Sequence, residues 1–182
     1  MSPRWRKLAL TAHVTASVGW LGAVAVFLAL TLVGLMSTDG QAVRSVYVAL
    51  ELVGWYVIVP LCFASLLTGV VSALGTTWGL ARYYWVVVKL AITVLATIAL
   101  LVHMRPVGSL ADAAASAVWS SGDLRGLRIQ LVVQSAAALA ALLVATGLSV
   151  FKPQGRTRYG QRKAFEQRAR SGAATAGPAA VA

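Results

Sequence analysis

Charged residues are scarce in this chain of 182 residues: they make up 12% of it, and only five residues are acidic. Soluble domains carry about 25% charged residues, so this composition excludes an ordinary soluble domain. So few carboxylates leave little opportunity for paired acid–base catalysis. The sequence also lacks a Walker loop, a G-x-S-x-G motif and an H-E-x-x-H motif. Enzymatic activity stays an open question, and we expect any chemistry to come from a cofactor.

Cysteine and histidine are also rare, with one cysteine and two histidines. The single cysteine, Cys62, allows neither a disulfide within the chain nor a multi-thiolate metal site. The formal net charge of +11 would suggest nucleic-acid binding in a soluble protein. Here the basic residues lie mainly in the segments that flank apolar runs, so we expect no nucleic-acid partner.

Apolar residues are abundant and make up 59% of the chain. Four segments reach the roughly 20 apolar residues that are needed to cross about 30 Å of hydrocarbon. They run approximately over residues 8–36, 46–74, 84–107 and 129–151. We therefore predict an all-α integral membrane protein, a four-helix bundle over residues 1–151 in contact with the lipid bilayer. Residues 152–182 are basic and then rich in Gly and Ala, which predicts a disordered tail.

The distribution of Lys and Arg predicts the orientation of the bundle. Eleven of these residues lie near the N-terminus, at Arg82 and in the tail. Four lie on the other side: Arg44, Arg105, Arg125 and Arg128. Because basic residues favour the cytoplasmic side, both termini are predicted to be cytoplasmic.

Polar residues inside the apolar segments are the candidates for a functional site, because hydrocarbon disfavours them. A rise of 1.5 Å per residue places His13 and Lys89 at one level, roughly 7 Å from the cytoplasmic face. A second level near the outer face contains four polar residues, namely Glu51, His103, Gln134 and Arg105. The two histidines are separated by roughly 20 Å along the membrane normal, which excludes a haem held between them.

The second apolar segment has a helical periodicity of small and polar residues. This spacing predicts that one stripe faces the other helices: Glu51, Trp55, Ile58, Cys62, Ser65, Gly69 and Ser72. Pro60 is predicted to bend the segment near its middle and to free backbone carbonyls beside Cys62.

Two short motifs resemble known bacterial membrane proteins. The first segment contains H-x6-W-x-G, formed by His13, Trp20 and Gly22, and the third contains Trp85-Val-Val-Val-Lys89 followed by His103. Together they resemble, over residues 8–107, the HemJ-type protoporphyrinogen oxidases, the CopD-type copper-resistance proteins and uncharacterised four-helix families related to them. After Gly22 this chain continues with Ala23-Val-Ala-Val, where the HemJ type has Pro-Arg-Leu.

The resemblance implies a haem-linked membrane redox protein in the bacterial plasma membrane. His13 corresponds to the first-helix histidine that is the expected axial ligand of haem b. Lys89 corresponds to the third-helix lysine, which would pair with a haem propionate, and Trp20 belongs to the same site. A redox partner in the membrane is implied as well.

Alternative interpretations stay open for both levels. His13 is also explained by a hydrogen bond to a neighbouring helix, and Lys89 by a side chain that extends to the headgroups. Glu51, His103 and Gln134 suggest either a proton- or ion-handling transporter or a hydrogen-bond cluster in which Arg105 neutralises Glu51. The bundle could equally be a homo-oligomer or a structural subunit of a membrane complex.

Overall fold

The computed structural model describes residues 2–75, 83–115 and 125–151, and in the tail residues 155, 157, 158, 161–163, 165, 166 and 169. Five α-helices and one π-helical turn follow in this order: α1 (Pro3–Met36), α2 (Gly40–Val53), the π turn (Gly54–Ile58), α3 (Val59–Leu74), α4 (Tyr84–Ala115) and α5 (Arg125–Phe151). The π turn joins α2 and α3 into one helix, Gly40–Leu74. Four helices of the described chain are therefore long and apolar enough to cross a membrane.

The four long helices form a bundle. α1 packs against α2, α3 and α5, and α4 packs against α2, α3 and α5. This arrangement confirms the predicted all-α four-helix bundle, in which α1 and α4 occupy opposite corners. We call the end at which α1 begins and α5 ends the proximal end, and the opposite end the distal end.

The second helix begins at Gly40, six residues before the predicted boundary. Asp39 precedes it, and the Asp39 side chain accepts a hydrogen bond from the Gln41 N–H at 2.9 Å. This N-cap satisfies a backbone donor that has no partner within the helix. The boundary was placed too late because hydropathy identifies only the part of a helix that lies in hydrocarbon.

The third helix extends to Ala115 rather than ending at residue 107. Beyond that residue, Leu110 and Ala111 are buried, as is Val107 itself. The extra turns therefore bury apolar side chains, and this packing extends α4 past the predicted boundary. The fourth helix likewise begins at Arg125 rather than 129 and includes the buried Arg128.

The π turn changes which residues of the second helix face the bundle. The Val59 N–H bonds to the Gly54 carbonyl, five residues earlier, so one extra residue is accommodated just before Pro60. Distal to this turn, the buried residues of α2 are Val43, Tyr47 and Leu50, and Gly54, the first residue of the turn, is buried as well. Trp55 is 46% exposed, which corrects its predicted place in the inward stripe.

From Ile58, the last residue of the turn, the predicted stripe is buried at Ile58, Cys62 and Ser65. Its remaining members, Gly69 and Ser72, are half-buried. Pro60 has no N–H to donate to the backbone carbonyl one turn earlier. The carbonyl left without this hydrogen bond therefore lies within the π turn. The prediction of free carbonyls beside Cys62 was therefore placed on the wrong side of the proline.

The tail returns to the proximal end of α4, where the Tyr84 N–H donates to the Gly155 carbonyl at 3.3 Å. Residues 161–163 are helical, and Lys163 forms an exposed ion pair with Glu166 at 3.3 Å. Most of residues 152–182 lie outside the described residues, so the predicted disorder of this tail stays a prediction. Arg82 also lies outside the described residues.

Candidate functional site

His13 lies half-buried on α1 at the proximal end, beside Gly69 of α3. A Cβ atom on residue 69 would lie 3.0 Å from Cε1 of the imidazole, so any larger residue there would require the ring to move by a few tenths of an ångström. The ring therefore sits directly against the backbone of α3. This position fits the predicted inward orientation of His13.

The hydrogen bonds of His13 determine its tautomer. Nδ1 lies 3.0 Å from the Ser65 carbonyl oxygen and 3.3 Å from Oγ1 of Thr68. A carbonyl oxygen can only accept, so Nδ1 carries the proton and Nε2 keeps a lone pair. Metal-ligating histidines commonly show this arrangement, in which one nitrogen donates to a carbonyl and the other is available to the metal.

Lys89 of α4 reaches the same site from the opposite corner of the bundle. Its Nζ lies 3.4 Å from Nε2 of His13, where the ammonium donates to the imidazole lone pair. The structure thus brings together the two residues that depth alone placed at one level. We call His13, Lys89, Ser65 and Thr68 the proximal cluster.

Further hydroxyl and thiol groups continue from the proximal cluster toward the middle of the bundle. Oγ of Ser17 bonds to Oγ of Ser65 at 2.8 Å. Deeper still, Sγ of Cys62 lies 3.1 Å from Oγ1 of the buried Thr97. Sequence analysis missed Thr97, although its spacing of eight residues from Lys89 places both on one helical face.

A largely apolar layer lies between the two predicted polar levels. Trp20 is 4% exposed and belongs to the same buried cluster as Val24, Phe27 and Ile58. Trp20 lies two turns deeper than His13 on α1, so both project from one face. Its predicted role in a cofactor site stays a prediction, while its packing role is evident.

His103 and Gln134 meet in the distal half. Nδ1 of His103 and Oε1 of Gln134 form a short hydrogen bond between α4 and α5. The His103 ring also lies against Phe27, with 6.0 Å between ring centroids. Nε2 of His103 is buried and has no hydrogen-bond partner within the described part of the chain.

Glu51 and Arg105 do not join this pair. Glu51 is half-buried next to Gly108 of α4, whereas the Arg105 side chain is exposed. In the described ranges the ion pair between Lys163 and Glu166 is the only one, so Arg105 does not neutralise Glu51 there. The distal level is therefore a His103–Gln134 pair, with Glu51 held separately by the α2–α4 contact.

The two histidines lie far apart, as predicted. Lys89, which contacts His13, and His103 are fourteen residues apart on the continuous helix α4. At 1.5 Å per residue this corresponds to about 21 Å. Each histidine therefore belongs to its own site.

Tyr47 and Arg128 form a buried contact at the distal end, and this contact was not predicted from the sequence. The Arg128 guanidinium carbon lies 5.7 Å from the centroid of the Tyr47 ring, in a cation–π arrangement. Tyr47 is fully buried and Arg128 is 8% exposed. Sequence analysis counted Arg128 only as a loop charge, because its place inside α5 depends on helix packing.

Within the residues that the structure describes, no group of three or more His, Cys, Asp or Glu side chains could hold a metal ion. Comparison with protein-family models, curated proteins and solved structures finds no match to this chain. The resemblance to the HemJ and CopD types thus depends on the two short motifs.

Proposed function

We propose that this multi-pass membrane protein binds haem b through His13 and has a redox role in the membrane. The observation that carries the proposal is the imidazole of His13, whose Nδ1 donates to the Ser65 carbonyl while Nε2 keeps its lone pair. An axial ligand needs this tautomer and a fixed ring. Gly69 and Thr68 hold the ring in place from α3.

The chain's own residues fit the periphery of such a cofactor. Lys89 is the cation nearest to His13, and its flexible side chain can leave Nε2 and pair with a propionate toward the headgroups. Trp20 lies two turns deeper on the same face of α1, within the buried apolar cluster that bounds the site. When bound, haem supplies one-electron chemistry, and the protein supplies the ligand, the counter-charge and the apolar surroundings.

A reduced-minus-oxidised visible spectrum of the detergent-purified protein, made in cells with ample haem, tests this proposal. We expect a stoichiometric b-type spectrum that His13→Ala removes. His103→Ala is the matched control, because the second histidine lies about 21 Å away along α4. A featureless spectrum after haem reconstitution, or a band that only His103→Ala removes, would reject the proposal.

Lys89→Met tests the proposed propionate partner, because methionine keeps the length of the side chain without the charge. A charge-assisted hydrogen bond contributes about 1.5–3 kcal/mol, so we expect haem affinity to fall roughly tenfold to hundredfold. Arg105→Met, at the distal end, should leave affinity unchanged. Equal affinities in both variants would contradict the role of Lys89.

We also propose that the proximal end faces the cytoplasm of a bacterial cell, since the basic residues concentrate there. Single cysteines at the exposed positions Ser2 and Gly126 distinguish the two orientations, because the native Cys62 is fully buried. A membrane-impermeant maleimide added to intact cells should label Gly126→Cys and leave Ser2→Cys unlabelled. The reverse pattern would invert the proposed orientation.

Proton handling is a second candidate function, and the buried, unpartnered Nε2 of His103 in the described structure favours it. A buried nitrogen of this kind can accept a proton, and Glu51, the carboxylate of the same level on α2, is the candidate group to exchange that proton with it through water. Glu51→Gln should then abolish a pH-gradient-driven flux in proteoliposomes. No flux in the parent protein, or an unchanged flux in the variant, would exclude this candidate.

A further inference from the structure

Gln134 is a polar residue on the exposed surface of a membrane-spanning helix. Its side chain is exposed, yet it lies nine residues, or about 14 Å, from the distal end of α5. It lies even further from the proximal end of the same helix. At this depth the surrounding hydrocarbon offers no hydrogen-bond partner to an exposed amide.

The hydrogen-bonding groups of Gln134 are only partly used. Oε1 has two lone pairs and accepts one bond from Nδ1 of His103. The amide NH2 group can donate two hydrogen bonds, and no acceptor for it is present among the described residues. One acceptor position and two donors therefore remain at the lipid-facing seam between α4 and α5.

We propose that this seam binds a second copy of the chain, and that the two Gln134 amides pair across a twofold axis. Each NH2 group would donate to Oε1 of Gln134 of the partner subunit, while each Oε1 keeps its bond to His103 within its own chain. A twofold axis brings the same patch of both subunits together, so donors and acceptors match automatically. Neither a lipid acyl chain nor an unrelated apolar helix offers this match.

The surface around Gln134 suits close helix approach. On α5, the exposed residues close to Gln134 include Val133, which precedes it, and Ala137, about one turn away. Small residues let two membrane helices come close enough for amide hydrogen bonds to form. The neighbouring α4 is the least covered helix, with 6% of its most apolar window buried within the chain, against 17–28% in the other three.

Subunit counting in liposomes, at a series of protein-to-lipid ratios, tests the dimer. We expect the parent protein to reach two copies per particle with a measurable dissociation constant. Interhelical hydrogen bonds in membranes contribute about 0.6–2 kcal/mol each, and Gln134→Leu removes both bonds of the pair, so association should weaken roughly tenfold to a thousandfold. Gln41→Leu is the control, because this exposed glutamine lies at the first turn of α2, away from the seam.

Crosslinking tests the same face with Gln134 intact. Ala137→Cys lies three residues from Gln134, and Val18→Cys is an exposed control position on α1. A short bifunctional maleimide should produce dimers of Ala137→Cys and few of Val18→Cys. The native Cys62 is fully buried and should not react.

Three outcomes would overturn the proposal. They are a monomeric parent protein at all ratios, equal association of Gln134→Leu and Gln41→Leu, and equal crosslinking at both cysteine positions. If Gln134→Leu fails to fold, the two cysteine variants decide the question by themselves.

Discussion

The proximal and distal halves of the bundle hold a histidine in different ways. At the proximal end, His13 donates to a backbone carbonyl of α3 and its second nitrogen contacts Lys89. At the distal end, His103 bonds to the side chain of Gln134, and its second nitrogen is buried without a partner among the described residues. The proximal ring is thus supported by backbone, and the distal ring by one side chain.

This difference indicates which histidine can change its protonation or its bound partner without repacking of the helices around it. A backbone acceptor stays in place whatever happens to nearby side chains, so Nε2 of His13 can exchange Lys89 for another partner. The distal half also contains the fully buried Tyr47, away from this contact, packed against Gly34 and Arg128. We therefore expect substitutions in the distal half to affect stability and those in the proximal half to affect ligand binding.

The largest expected effect compares one tyrosine from each half. Tyr47 is fully buried, whereas Tyr84 at the proximal start of α4 is 54% exposed. Removing a buried aromatic side chain typically lowers the free energy of unfolding by about 3–5 kcal/mol, so Tyr47→Ala should do so. Tyr84→Ala should lower it by less than about 1 kcal/mol.

Unfolding in detergent mixed with increasing SDS, followed by helical circular dichroism, provides the measurement for this pair. Equal losses in the two tyrosine variants would remove the proposed distinction between a rigid distal half and an adaptable proximal half.

An intermediate effect compares two glycines that face aromatic rings. A Cβ on residue 34 would lie 3.0 Å from Cζ and the hydroxyl oxygen of Tyr47, and a Cβ on residue 69 would lie 3.0 Å from Cε1 of His13. Overpacking a rigid core lowers stability by about 1–3 kcal/mol, which we expect for Gly34→Ala. Because His13 is only half-buried, Gly69→Ala should cost less stability but weaken haem binding.

Gly22→Ala is the control for both glycine variants, since nothing lies within 4 Å of a Cβ there. The same SDS titration and a haem titration should be applied to all three proteins. A Gly69→Ala protein with unchanged haem affinity would show that the position of the His13 ring is not restricted by α3.

The smallest expected effect concerns the hydroxyl pair between α1 and α3. Ser17→Ala removes the 2.8 Å bond to Ser65, and such bonds contribute about 0.6 kcal/mol on average in membrane helices. Ser65→Ala should lose a similar amount, yet it keeps the backbone carbonyl that orients His13. A double-mutant cycle measures the coupling, and a Ser65→Ala protein that loses haem would show that the hydroxyl rather than the carbonyl positions the ring.

Much of the fold follows from the sequence because hydrocarbon imposes a simple requirement on length and polarity. The four helices and the shared level of His13 and Lys89 could be predicted from hydropathy and from the rise of an α-helix. Depth, however, does not specify which side of a helix faces inward. Glu51 and His103 share a level but contact different neighbours, because they project into different grooves of the bundle.

The burial of Tyr47 and Arg128 could not be predicted from hydropathy, which treats both as features of a membrane boundary. Their contact arises because the side chain of Arg128, one residue outside the predicted apolar segment, lies over the ring of Tyr47 on α2. The hydrogen bond between Gln134 and His103 is also a tertiary feature, since it requires α4 and α5 to be neighbours. The contacts of residues at helix ends and between neighbouring helices could therefore not be predicted from the sequence.

The π turn at Gly54–Ile58 determines what the insertion or deletion of one residue does to this helix. Such a turn is what a single inserted residue produces when a helix keeps its ends in place. Removing one residue between Val53 and Val59 should therefore restore regular winding without rotating α2, because Leu50 would then lie seven residues, or about two turns, before Ile58. If the present residues were instead wound as a regular α-helix, α2 would turn by about 100° and Glu51 and Trp55 would face inward in place of Leu50 and Gly54. The π turn therefore leaves Glu51 half-buried beside α4 instead of inside the bundle.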